Sequence, residues 1–175
     1  MPKIIEGARE KILENAKQRL FENGYQHLSL REVAKESGIA TGTIYNYFTN
    51  KDYLIANIML EDWETAVQKM DQRCSSAGTV KEGVLGICQA MDEFCDIYLS
   101  IWLQPSVAAA ASADMEHRHQ FLVGQIKQKV ECLIEKKGFG DKQQFTTLIA
   151  EMILASAGKS DVRVQLAELV EQLYP

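Results

Sequence analysis

Strand, membrane and catalytic signals are all scarce in this sequence. No run of about 18 apolar residues occurs, so no transmembrane helix is expected. Only 3 prolines and 11 glycines stand among 175 residues, which excludes collagen-like and low-complexity chains. No alternating β-branched run is present, and no hairpin turn joins two such runs. The phosphate-cradling glycine loop, HExxH and GxSxG are all missing. An enzyme is therefore not expected, and no cofactor is implied. Cys74, Cys88, Cys95 and Cys132 show no CxxC spacing, and Met1–Glu6 has no apolar signal core. Both features predict a cytoplasmic chain with reduced thiols.

What is present is ordinary globular material, 46% hydrophobic and 25% charged, enough for a sizeable core. The net charge of −5 argues against a non-specific nucleic-acid coat, which needs many Lys and Arg on phosphates. That charge is unevenly spread. Residues 1–53 hold 8 basic and 7 acidic side chains, a balance of +1, and the rest carries −6.

The chain reads as helices nearly throughout. Residues 6–23 place Leu13, Ala16, Leu20 and Phe21 on one face, and Gly24 follows as a helix stop. Ser29-Leu-Arg-Glu32 is a capping box that opens a short helix over 30–37, with Leu30, Val33 and Ala34 inward. Gly38 breaks it, and 41–47 forms a second short helix. Asn50 caps a long helix over 51–73. Ser75-Ser-Ala-Gly78 is a linker-like break. A further helix runs from about Thr79 until Pro105 ends or kinks it. Asp114 caps the next, which closes at Gly138-Phe-Gly140, and 141–157 and 161–173 complete the set. The expected fold is all-α, with about nine helices. A three-helix unit over 1–50 precedes a helical bundle over 51–175.

Residues 30–48 have the layout of a helix-turn-helix. The second helix carries small and polar groups on one side and Ile44 and Phe48 on the other. A recognition helix needs that division, because one face packs and the other enters a major groove about 12 Å wide. Ile12-Leu13, Ala16, Leu20-Phe21, Gly24-Tyr25, Ser29-Leu30, Val33-Ala34, Gly38-Ile39, Thr41-Gly-Thr-Ile-Tyr-Asn-Tyr-Phe48, Asn50-Lys51 and Leu54 agree in fixed order with one pattern. Over residues 9–55 the chain resembles the N-terminal domain of the TetR/AcrR family of bacterial transcriptional regulators. The remainder resembles that family only in helix count and length.

The resemblance implies a repressor that binds a palindromic double-stranded DNA operator as a homodimer and is released by a small-molecule effector. It places Thr41, Gly42, Thr43, Tyr45, Asn46 and Tyr47 on the recognition helix. Tyr45 and the residues near the helix start meet bases, and Thr43 and Tyr47 hold phosphates. Arg31 falls where some members read a base, and Lys51 matches the family's phosphate-contacting lysine. Ser29 opens the helix whose N-terminal N–H groups suit a phosphate. Ala40 stands where the family often has a Ser cap, and Leu28 where Thr is frequent.

The resemblance also implies a ligand cavity among the helices over 51–73, 80–104 and 114–136. Its candidate lining is Trp63, Met91, Phe94, Tyr98, Trp102, Phe121 and Gln125. The same aromatic and Met stripe would fill any helical core. A dimer surface is expected on the last two helices, through Phe145, Leu148, Ile149, Met152, Ile153, Leu166, Leu169, Val170 and Leu173, because few neighbours remain at the chain end to cover these stripes. Glu116-His117-Arg118-His119 is no metal site by itself, since residues two apart on a helix do not share a face. Cys88 and Cys95 are seven residues apart, or about 10 Å along a helix, too far for a disulfide. Two readings of other classes compete. One is a helical protein–protein interaction module, the other a small-molecule carrier without sequence-specific DNA binding.

Overall fold

The computed structural model describes residues 7–102 and 115–175. Pro105 and the cap expected at Asp114 lie outside the described residues, as does the Trp102 side chain. Eight α-helices and one 3-10 segment account for the described chain, and no strand is found among these residues. The helices are α1 (Ala8–His27), α2 (Leu30–Ser37), α3 (Thr41–Tyr47), α4 (Lys51–Ser76), α5 (Val80–Trp102), α6 (Met115–Lys136), α7 (Thr146–Ala155) and α8 (Ser160–Leu173). The all-α expectation holds, with a count close to nine.

The backbone packs as two compact units, through Trp63 and from Glu64. Leu54, Ile55 and Ile58, in the first turns of α4, are buried and fall within the first unit. In the N-terminal unit, α1 packs on α2 and α2 on α3. Ile12, Leu13, Ala16, Leu20, Val33, Ile44 and Phe48 are buried. Each large apolar side chain among them contributes about 1.5–3 kcal/mol on leaving water.

Two glycines shape this unit. Gly24 interrupts α1 at φ 79°, ψ 169°, a region open in practice only to glycine, and three more helical residues follow it. The expected stop is therefore a kink. Gly38 adopts φ 71°, ψ 27°, while Ile39 N–H donates to Ala34 O at 3.0 Å, closing α2 with a left-handed turn.

In the second unit α5 packs against α6, α7 and α8, and α6 lies along α7. Gly83 is a point of close approach, since a Cβ there would sit 2.4 Å from Leu133 Cδ2. Three boundaries differ from expectation. α4 runs on to Ser76, whose hydroxyl donates to Arg73 O at 3.2 Å instead of breaking the helix. Thr79 then caps α5 through Glu82 N–H at 3.1 Å. The helix expected over 141–157 divides into a 3-10 segment (Gly140–Phe145) and α7, where Lys142 leaves helical geometry and Thr146 Oγ1 donates to Gln143 O at 2.8 Å.

Arg163 of α8 forks onto Asp92 of α5 and also donates to Ser156 O at 3.3 Å. The hydrogen bond from Arg163 holds the Asp92 carboxyl below its ordinary range, against the opposing effect of burial. A carboxyl lowered by folding stabilises the fold above its unfolded pKa of about 3.9, and that contribution fades as pH falls through the folded value. The urea midpoint should therefore fall as pH drops below about 4. Asp92→Asn should be less stable near neutrality and lose less across that acid window. An identical acid loss in both proteins would contradict this role.

Candidate nucleic-acid interface

α3 is short, and its N-cap Ala40 offers no side-chain hydrogen bond, as its sequence predicts. Its first turn is held instead by Thr43 N–H to Ala40 O at 2.8 Å. Ile44 and Phe48 are fully buried and pin the helix from below. The opposite side presents Thr41, Gly42, Tyr45 and Asn46 to solvent, with Tyr45 46% exposed. Thr43 and Tyr47 are half-buried at its flanks. The two tyrosines thus leave the helix on different sides, as a spacing of two requires.

The helix starts on either side are closed by side chains. Ser29 Oγ accepts Glu32 N–H at 3.3 Å and lies 3.3 Å from Glu32 Oε2, so its hydroxyl serves the cap. Asn50 Oδ1 accepts Tyr53 N–H at 2.7 Å, which makes it the expected cap of α4. Arg31 is exposed on α2.

Lys51 has a structural partner that sequence reading did not assign. Its Nζ donates to Tyr25 O at 3.0 Å and lies 4.0 Å from the centre of the Tyr25 ring. Tyr25 in turn donates its hydroxyl to Asp52 Oδ1 at 2.7 Å. The end of α1 and the start of α4 are thereby tied together. An ammonium has three hydrogens, so this brace leaves capacity for a further acceptor. Three other basic residues of the unit are engaged as well. Arg9 bonds Asn57 and Glu61, Lys17 pairs with Asp62, and Arg19 pairs with Glu32 and Glu36. The only sequence signal for these partnerships was the near balance of charge over residues 1–53.

The candidate effector residues fall less evenly. Trp63, Met91, Phe94 and Tyr98 are buried, and the Phe94 and Tyr98 rings meet at a tilt of 48° with centres 5.2 Å apart. Phe121 is 49% exposed and Gln125 half-buried. A shallow groove of about 380 Å³ lies elsewhere, among Arg73, Ser76, Ala77, Glu82, Leu85, Gly86 and Gln89, and uses none of the expected residues.

The expected dimer stripe is divided by the fold. Ile149, Ile153, Leu166 and Val170 are completely buried within the chain, because α7 and α8 pack on each other and on α5. Phe145, Met152, Leu169 and Leu173 are half-buried, while Leu148 and Val164 are 51% and 57% exposed. Helical spacing identified apolar residues but not which of them the chain itself covers.

Among the described residues, no three His, Cys, Asp or Glu side chains gather as a metal site. His119 Nε2 lies 2.8 Å from Glu151 Oε2, linking α6 to α7. All four cysteines are free thiols. Burial pushes Cys74 and Cys95 up to about 11, which keeps both protonated and poorly nucleophilic. Among the described residues, no helix is long and apolar enough to cross a membrane.

The short helices form a helix-turn-helix with a buried rear and a polar, exposed front, the layout that DNA-reading units use. Residues 12–58 match the model of the bacterial regulatory proteins, tetR family. A fatty acid metabolism regulator protein of Bacillus subtilis (strain 168) is 32% identical over 58 residues, covering 33% of this chain and 30% of that protein. The chain thus spans less than a third of the curated relative that it matches. Solved structures share the fold along nearly the whole chain. A transcriptional regulator from Cytophaga hutchinsonii ATCC 33406 superposes with a TM-score of 0.60 at 16% identity, over 96% of this chain and 95% of that one. A TetR/AcrR-family regulator from Thermobifida fusca YX-ER1 gives a TM-score of 0.57 at 17% identity, over 93% and 95%.

The brace at Lys51 yields a stability prediction. Lys51→Met should cost the N-terminal unit roughly 1–2 kcal/mol, through the lost hydrogen bond and the lost cation over the ring. Lys35→Met on exposed α2 should stay within about 0.5 kcal/mol. Denaturant unfolding of both variants measures the difference, and equal stability would remove the brace from the account.

Proposed function

We propose that this protein is a ligand-responsive transcriptional regulator that binds a palindromic DNA operator as a homodimer. The observation that carries this reading is the polar, exposed front of α3, held on a buried Ile44 and Phe48. Thr41, Gly42, Tyr45 and Asn46 contact base edges in the major groove, with Arg31 adding a reach from α2. Thr43, Tyr47 and the remaining hydrogens of Lys51 hold phosphates, and the N–H groups at the α2 start near Ser29 support them. With a nearly neutral reading unit, affinity depends on a well-matched site and on two copies.

Two copies meet through the residues of α7 and α8 that the chain leaves uncovered, chiefly Leu148 and Val164, with Phe145, Met152, Leu169 and Leu173 at their sides. A two-fold pair places the recognition helices about 34–36 Å apart, one turn of DNA. The effector reading is repression relieved by a small molecule among the buried aromatic and Met residues of the second unit. Such a ligand lowers DNA affinity by its differential affinity for two states, typically about 1–3 kcal/mol. The acidic balance of residues 54–175, −6, opposes their approach to phosphates.

Tyr45→Ala should weaken binding to a duplex enriched from a randomised library by about 5- to 100-fold, the range of a lost base contact. Thermal unfolding should barely move, since the side chain is half exposed. Unchanged affinity in a fluorescence anisotropy titration would refute the reading. Leu148→Glu should shift the protein toward monomer in sedimentation at micromolar concentration and weaken operator binding with it. A dimer that survives this change would place the pairing surface elsewhere.

A further inference from the structure

α2 borders the proposed recognition helix, yet it carries no net charge, since Arg31 and Lys35 are offset by Glu32 and Glu36. Helical spacing sets Arg31 and Lys35 on one face and Glu32 and Glu36 on the next. Arg19 of α1 reaches only the acidic face. Its Nη2 donates to Glu32 Oε2 at 2.8 Å, and its Nη1 donates to Glu36 Oε1. The Arg19 side chain is largely covered, at 18% exposure against 52% and 44% for its two partners. Its Nε is buried without a partner, so the group is placed at the cost of one unmet hydrogen bond. Arg31 and Lys35 are both exposed, and no ion pair engages either among the described residues.

We propose that Arg19 is a positioning residue for DNA binding. It offsets one of the two negative charges that Glu32 and Glu36 place on α2 and draws both carboxylates toward α1, which leaves Arg31 and Lys35 as the outward basic face, with Lys35 as an additional phosphate contact. The inference rests on the DNA-binding reading above. Its physics is short-ranged. Bare carboxylates within a Debye length of about 8 Å of a phosphate repel it, whereas two carboxylates that share one guanidinium repel it about half as strongly. A largely covered cation between two helices can thus set the surface charge of a face it does not occupy.

The alternative is that Arg19 merely staples α1 to α2. Two full-length variants separate these roles, because both lack the staple and only one leaves bare carboxylates. Arg19→Gln should bind the duplex enriched by the wild-type chain about tenfold more weakly. The triple variant R19Q/E32Q/E36Q should return to wild-type affinity or better, measured by anisotropy over a salt series. Lys35→Ala should reduce the slope of log affinity against log salt by about 1. Wild-type affinity in Arg19→Gln overturns the proposal. So does a triple variant as weak as Arg19→Gln, or an unchanged slope in Lys35→Ala. If the wild-type chain enriches no duplex, the DNA-binding reading itself fails and takes this inference with it. If it does enrich one, only the role of Arg19 and Lys35 is at stake.

Discussion

The recognition helix is too short to stand by itself. Isolated helices below about 12–15 residues are marginal in water, and α3 spans only Thr41–Tyr47 with no side-chain cap. What keeps it helical is burial of Ile44 and Phe48 against the rest of the N-terminal unit. Everything proposed for the surface follows from this constraint. With two positions spent on anchoring, the rest of the helix is released to be small, polar and exposed. The turn at Gly38 and the cap at Asn50 then set where the helix begins and ends.

Charge is handled with the same economy. The N-terminal unit holds nearly equal numbers of acids and bases, and Arg9, Lys17, Arg19 and Lys51 are joined to acids or a carbonyl within it. Surface ion pairs contribute little to stability individually. Here they decide instead which charges remain outward. Arg31 and Lys35 stay uncommitted on α2, while Lys51 divides its hydrogens between a brace and whatever else it meets. A count of lysines and arginines therefore overstates what the surface offers.

The second unit shows ordinary bundle logic, in which apolar stripes at helical spacing meet in one core. Its polar ties lie where helices end. Arg163 links α8 to Asp92 and to Ser156 O, and Lys142 donates to Leu173 O at 2.6 Å while Tyr174 donates back to Lys142 O at 2.9 Å. These ties hold the last helix against the chain. They explain why Leu166 and Val170 are buried, which leaves Leu148 and Val164 as the most exposed apolar groups on α7 and α8.

Local chemistry was legible in the sequence by itself. Capping residues at Ser29 and Asn50, the glycine turn at Gly38 and the three- and four-residue apolar spacing each act within a few residues, so they survive as patterns in one dimension. They sufficed for the all-α class, for the short helices of the reading unit and for the polar front of α3. Tertiary structure alone decided the rest, because it depends on partners distant in the chain. The pairing of Lys51 with Tyr25, the fork of Arg19 on α2, and the division of the last two helices into covered and uncovered apolar residues all join elements that no periodicity relates. An apolar stripe records that a face is buried, and only the packed chain determines what buries it.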